Sequence, residues 1–217
     1  MDMDIRDGVY AYDLPWGWGD IEEPLSVAIV ETDEATVLFG TGDDSTADDL
    51  RAVLEDHDVD VAVAEHGDID HFGGIPALRE QFDLTVAIPA GDTQFLDDAG
   101  VHYDVEMAAG ETYWGFETIG VPGHTPDNLA YLYEDVLLAG DAVCGSDSAF
   151  AMDGDWPGAL APLADELNAD TAQTLESVSL LSGHDVETVL TAHGQNVLED
   201  GEAEIATLVE AIDAMDR

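Results

Sequence analysis

Apolar and polar positions along the chain change their period several times, and each change marks an element. GVYAY (8–12), LSVAIVE (25–31) and ATVLFG (35–40) read as strands separated by polar or Gly-containing turns. From Ser45 and Thr46, which can cap a helix, the spacing shifts, and Leu50, Val53 and Leu54 share one face of a helix running to about residue 57. VDVAVA (59–64) reads as a buried strand, with HGDIDHFGG (66–74) in the loop between it and a helix over 75–82. A strand at LTVAIP (84–89) and a short helix near 92–99 follow, then antiparallel signals in TYWGFETIGVPG (112–123), LAYLYE (129–134) and DVLLAGD (135–141). Residues 142–158, rich in Gly, Ser, Asp and Pro, read as a long loop. Helices are expected at 159–168 and 170–182, a strand at VETVLTAHG (186–194), and a last amphipathic helix carrying Ile205, Leu208, Val209 and Ile212. With no repeat, low-complexity tract or linker in view, the pattern predicts one α/β domain over residues 1–217, its helices covering sheet on two sides.

Charge changes the picture of the surface rather than of the core. The chain carries 50 Asp plus Glu against 4 cationic residues, all arginine (Arg6, Arg51, Arg79, Arg217), for a formal net charge of −46. Such a charge on an apolar-poor chain would mean disorder, but here periodic apolar segments run from end to end, so the acid must coat a folded surface. The composition resembles that of a cytoplasmic protein from a salt-in halophile. At molar salt the Debye length falls to about 3 Å and self-repulsion is largely screened. The melting temperature is therefore expected to rise between roughly 0.1 and 2 M KCl, the span over which that screening develops. A thermal-unfolding series showing no change over this span would refute the idea.

The same balance speaks against a nucleic-acid partner, because scattered arginines make no basic stripe, and against an anionic membrane surface. No signal peptide and no apolar run of membrane-spanning length is visible, and the lone Cys144 suits a reducing compartment as a buried, inert thiol. A cytoplasmic protein acting on a small molecule is the expectation, with assembly into a homodimer left open.

Candidate chemistry collects at strand ends. His66, Asp68, Asp70 and His71 follow one strand, His124 in PGHTPDN another, Asp141 ends LLAGD, and His193 ends LTAHG. Loops at strand ends are where a rigid scaffold frees side chains for chemistry. Alternating spacing places His66, Asp68 and Asp70 on one side of an extended segment and His71 on the other, so two metals could be served. Gly73 and Gly74 suit a tight entry into the next helix. Imidazole and carboxylate suit zinc, iron or manganese; a thiolate site is excluded with a single cysteine. His57, His102 and His184 lack such company and are expected to be solvated or capping residues.

The order HGDIDHFGG, PGHTP, LLAGD, TAHG resembles the metallo-β-lactamase superfamily, whose main motif is H-x-H-x-D-H followed by a distant His, an Asp and a last His. The likeness implies a four-layer αββα sandwich with two divalent metals, zinc foremost, at one edge. By position, His66, Asp68 and His124 would hold the first metal and Asp70, His71 and His193 the second, with Asp141 bridging and Asp70 taking a catalytic part. Two departures stand out. Asp68 occupies the place of the second histidine, making the first site harder and more negative and shifting it toward iron or manganese. GTG (40–42) stands where many members have D-T-G, so Gly40 lacks a carboxylate that usually supports the metal loop. Flavodiiron proteins also place a carboxylate at the position of Asp68, although theirs is Glu.

Two metals about 3.5 to 4 Å apart would hold a bridging hydroxide for hydrolysis without a protein nucleophile. No G-x-S-x-G elbow and no phosphate-cradling loop with a lysine competes with that chemistry. Trp16 and Trp18 in DLPWGWGD (13–20), and Phe150, Met152 and Trp156 in the long loop, are candidates to line a substrate pocket. A small ester, lactone or thioester is expected. The alternatives are a non-haem iron oxidoreductase, flavodiiron-like or persulfide-dioxygenase-like, and a non-catalytic member with a weakened metal site.

Overall fold

The computed structural model describes residues 2–215, so Arg217 lies outside the described residues. Strands β1 (Asp2–Arg6) and β2 (Val9–Leu14) form a hairpin, a small ribbon of β3 (Gly17–Trp18) and β4 (Ile21–Glu22) projects beyond it, and β5 (Leu25–Glu31) and β6 (Thr36–Phe39) continue the sheet antiparallel. After α1 (Ala47–Leu54) the strands run parallel: β7 (Val61–Val63), then helices α2 (Ile69–Phe72) and α3 (Ile75–Arg79), β8 (Thr85–Pro89), α4 (Thr93–Ala99) and β9 (Val105–Met107). The second sheet holds β10 (Thr112–Tyr113), β11 (Phe116–Gly120), β12 (Leu129–Tyr133) and β13 (Val136–Gly140) as antiparallel neighbours. A short pair, β14 (Cys144–Gly145) with β15 (Leu160–Ala161), and α5 (Thr171–Val178) lead to β16 (Thr188–Thr191), which lies parallel to β13, and α6 (Gly201–Met215) closes the described chain.

Strand periodicity of two explains the layers. On β13, Val136 and Leu138 face the first sheet and share a cluster with its Phe39 and Val63 and with Tyr131 of neighbouring β12, while Leu137 and Ala139 turn outward beneath Val178, Ile205 and Leu208 of the helices. Leu38 and Ala62 likewise turn away from the centre to meet Leu50 and Leu54 of α1 and Leu78 of α3. Phe39 anchors the join between sheets, its ring 4.8 Å from Phe116 and 5.0 Å from Tyr131. Burying each such side chain stabilises the fold by about 1.5–3 kcal/mol. The result is the four-layer αββα sandwich.

Three arginines are tied down away from the centre of the molecule. Arg6 pairs with Asp135 and Glu134, Arg51 with Asp48 and Glu80, and Arg79 with Asp104. No described helix is long and apolar enough to cross a membrane.

Several expectations need correction. No helix spans 159–168: Leu160–Ala161 pairs as β15, and only a 3-10 turn, Asp165–Leu167, follows. Pro162 sits in the middle of that stretch, where it would remove a helical donor and clash with the preceding turn. The long loop 142–158 contains β14. Thr46 stands at the start of α1 without capping it; its hydroxyl bonds back to Asp43, donating to the carbonyl and accepting from the N–H. Strands β1, β3, β4 and β9 and the single turn of α2 were not foreseen.

Candidate metal centre

Four strand ends deliver one cluster. His66 leaves the end of β7, His124 the loop after β11, Asp141 the end of β13 and His193 the end of β16, while α2 supplies Asp70 and His71. Strands β11, β13 and β16 run in the same direction, which brings their loops to the same edge of the second sheet.

The donors fall into two buried triads, His66 with His124 and Asp141, and Asp70 with His71 and His193, each with its ligand atoms within 4.8 Å of one another. His66 Nε2 lies 3.1 Å from His124 Nε2, and Asp70 Oδ2 lies 3.4 Å from His193 Nε2. Bonds near 2.1 Å in a tetrahedral shell space donor atoms about 3.4 Å apart. Asp141 joins the triads: Oδ2 is 3.9 Å from His66, 3.5 Å from His124 and 3.7 Å from His193, and Oδ1 is 3.7 Å from His71. His71 Nε2 and Asp141 Oδ1 are buried with no protein hydrogen-bond partner. Such orphaned polar atoms call for another group, and this donor set fits a pair of divalent cations. Asp68 stands at the open side, half exposed, its Oδ2 3.1 Å from His124 Nε2 and 3.7 Å from His66 Nε2.

The electrostatics follow from packing imidazoles against carboxylates without water. Burial alone would lower the His71 pKa, but the charges of Asp141 and Asp70, with help from Glu65, push it up to about 10. His124 and His193 are raised in the same way, against burial, by Asp68 and Asp141 in the first case and by Asp141 and Asp70 in the second. His66 goes the other way, lowered by burial and by His71. Burial would raise Asp68, Asp70 and Asp141, and the surrounding imidazoles overcome it, so all three are held low. A divalent ion taken up by this cluster would displace protons, so its affinity is expected to rise with pH.

The local geometry differs from an extended ligand segment. The chain turns helical at Ile69, and α2 swings His71 into the same cavity as His66, ring centroids 4.0 Å apart, rather than to the opposite side.

Two buried carboxylates that sequence reasoning passed over support the cluster. Glu65 accepts a hydrogen bond from His71 Nδ1 at 2.8 Å. Asp92 accepts from Gly67 N at 3.1 Å, Thr125 Oγ1 at 2.5 Å and Asp127 N at 3.2 Å, and so ties the loop of His66 to the loop of His124. A signal for Asp92 was present: IPAGD (88–92) ends a strand as LLAGD (137–141) does.

Over the cluster lies a pocket of about 260 Å³, walled by Trp16, Trp18, Ile69, Phe150, Leu163 and Leu167, with Asp68, Asp70, His124, Asp141 and His193 also lining it. The rings of Trp16 and Phe150 lie 5.4 and 4.9 Å from His193. Trp16 Nε1 donates to Asp43 at 2.9 Å, which fixes the indole. Glu23 ties the strip of Trp16 to the segment of Phe150, its Oε1 accepting from Ser148 Oγ at 2.7 Å and its Oε2 from Ala149 N at 2.6 Å. Trp18 and Ile69 are each 56% exposed at the rim, an apolar surface with nothing in the fold to cover it.

Met152 and Trp156 do not belong to this pocket. Met152 lines a separate surface groove, and the Trp156 indole donates to the Met152 carbonyl at 2.7 Å while its ring packs against the core. Leu163 and Leu167 take their place as walls, hidden from sequence reasoning by the mistaken helix over 159–168. Outside the site, His57 meets the Tyr12 hydroxyl at 2.7 Å, His102 is exposed, and His184 is half-buried. Cys144 is buried and its thiol pKa is pushed up by burial, consistent with an inert side chain.

Comparison with known proteins gives concordant matches. The model of the metallo-beta-lactamase superfamily matches residues 22–193. The chain is 35% identical over 100 residues to a hydroxyacylglutathione hydrolase of Halorhodospira halophila, a match covering 43% of this chain and 37% of that protein, well under half its length. It is 28% identical over 159 residues to a probable metallo-hydrolase, YqgX, of Bacillus subtilis, covering 63% of this chain and 74% of that one. Among solved structures, a metallo-beta-lactamase from Pontibacter korlensis superposes with a TM-score of 0.75 at 19% identity over 98% of both chains, a likeness of fold.

Proposed function

The chain belongs to the metallo-β-lactamase superfamily, and on that premise we propose that it is a metal-dependent hydrolase cleaving a small, uncharged ester, lactone or thioester. The observation that carries this is Asp141, whose two carboxylate oxygens lie within 3.9 Å of Nε2 of all four clustered histidines. His66, Asp68 and His124 would hold one divalent ion and Asp70, His71 and His193 a second, with Asp141 shared. Zinc suits this set, and when bound the pair supplies Lewis acidity and a water made acidic enough to attack at neutral pH.

The protein's own contribution is positioning. Asp70 lines the pocket and is held ionised by His71 and His193. It accepts a hydrogen bond from the attacking water and orients it toward the acyl carbon. Trp16 and Phe150 pack against His193 and exclude bulk water, which strengthens every charge interaction beneath them.

The substrate class follows from what the pocket offers. Its upper walls are aromatic and aliphatic and its floor is acidic, and the three described arginines are paired elsewhere. A substrate bearing carboxylates, such as the glutathione thioester named for the Halorhodospira relative, would meet Asp68 with like charge and no cation to receive it. A neutral acyl group fits better.

Protein purified in molar KCl and assayed on neutral lactones, esters and thioesters beside S-acylglutathiones tests this. Two metal ions per chain and turnover of neutral substrates are expected; full metal loading without hydrolysis of any of them overturns it. Asp68 favours one second reading, an iron-dependent oxidoreductase, because a carboxylate in place of imidazole hardens the first site. Iron in the purified protein, with oxygen consumption and no hydrolysis, would select it.

A further inference from the structure

Glu65 lies two residues past β7 and is nearly fully buried, although among the described residues no cationic side chain other than His71 pairs with it. An isolated buried carboxylate is costly, so its placement asks for a reason. Its Oε2 accepts from His71 Nδ1 at 2.8 Å, and its carbonyl oxygen accepts from the Tyr131 hydroxyl at 3.4 Å. The slot around it is flanked by two residues that lack side chains. Gly40, at φ +74°, lies just past β6, and a Cβ there would come within 3.2 Å of Glu65 Oε2. Gly140, at φ +49°, ends β13, and a Cβ there would lie 3.3 Å from Glu65 Cβ and 3.4 Å from Oε1. The carboxylate is thus wedged between the ends of two strands from opposite sheets.

The contact is selective. Nδ1 of His66, His124 and His193 is buried without a protein acceptor, whereas Nδ1 of His71 has one built in. A hydrogen bond from Nδ1 to a carboxylate fixes the tautomer that leaves the Nε2 lone pair free and makes it a stronger donor. Here Nε2 faces Asp70 and Asp141 at 3.9 and 3.7 Å.

We propose that Glu65 is the positioning residue of the second metal site, and that it fills a slot which an acid at position 40, just past β6, would otherwise enter. The two positions form a reciprocal pair: only one can carry an acid, because both point into one slot. The proposal rests on the metal-site reading above.

A double-mutant cycle with zinc as the probe tests it, using the full chain in molar KCl. Zinc affinity is measured by competition with a chromophoric chelator, and the His71 tautomer is followed by the ¹⁵N shifts of its ring. E65A is expected to weaken the second zinc by about 10–100-fold, the usual cost of losing such a partner, with the first zinc retained. E65Q, which keeps the shape and an acceptor but not the charge, should fall between E65A and the parent, and it carries the test if E65A does not fold. G40D alone should weaken the second zinc by crowding Glu65. G40D in the E65A background should recover affinity, since Asp tolerates a positive φ better than most residues. E65A that binds two zinc ions as tightly as the parent, with unchanged His71 shifts, overturns the role of Glu65, and a double variant no better than E65A overturns the pairing with Gly40. A parent protein that binds no zinc or other divalent ion counts instead against the metal-site reading itself.

Discussion

Asp141→Ala is expected to lower hydrolysis by ~10³-fold or more, since a direct ligand should count for more than the 10–100-fold carried by outer partners. The same change should reduce bound metal from two ions per chain to one or none. Among the described residues Asp141 reaches histidines of both triads, with one oxygen facing His71 and the other facing His66, His124 and His193. Its charge is a leading cause of the raised pKa values of His71, His124 and His193. Without it, four buried imidazoles would face one another with less negative charge to offset a dication. Asp141→Asn, equal in shape, should fail almost as badly, which separates the role of charge from that of packing. Elemental analysis beside turnover measurements reads both, and a variant retaining two ions and half its rate would refute the shared-ligand role.

Asp92→Ala is expected to destabilise the fold by about 3 kcal/mol while touching neither metal nor substrate. The change leaves Gly67 N and Thr125 Oγ1, both buried, and the partly buried Asp127 N without their acceptor. Each orphaned donor costs about 1–3 kcal/mol. Part of that is offset by removing a buried charge, whose own cost shows in a pKa pushed up by burial. For a chain of this size the melting temperature should fall by roughly 6–12 °C. Because Asp92 ties the loop of His66 to that of His124, the first metal should also bind more weakly than the second. Thermal unfolding in molar salt checks the first statement and stepwise zinc titration the second; an unchanged melting temperature would sink both.

What the sequence revealed and what it hid have physical causes. Runs such as LSVAIVE and LLAG are apolar at strand spacing and need no distant partner to be recognised, so the sheets were legible. The ligands were legible because they follow those runs. Apolar spacing over 159–168 suggests a helix, but Pro162 outweighs it and the chain pairs as β15 instead. Alternation along an extended strand sends His71 the wrong way because one helical turn, α2, replaces the extended backbone there. The strand-ending IPAGD marks Asp92 as a candidate, but its role lies in Thr125 and Asp127, far along the chain, and no local pattern carries a hydrogen bond of that span. Met152 and Trp156 looked like pocket residues for being apolar in a polar stretch, yet the backbone turns them away from His193 and into other contacts.

Glu23 has a bearing on which acyl groups can enter. It clips the strip bearing Trp16 and Trp18 to the segment bearing Phe150 through two short bonds, so the jaws of the entrance are one stiff piece at rest. The tie sets the gap between these two walls, so the girth of an admitted guest is expected to be governed by an acid that does not itself line the pocket.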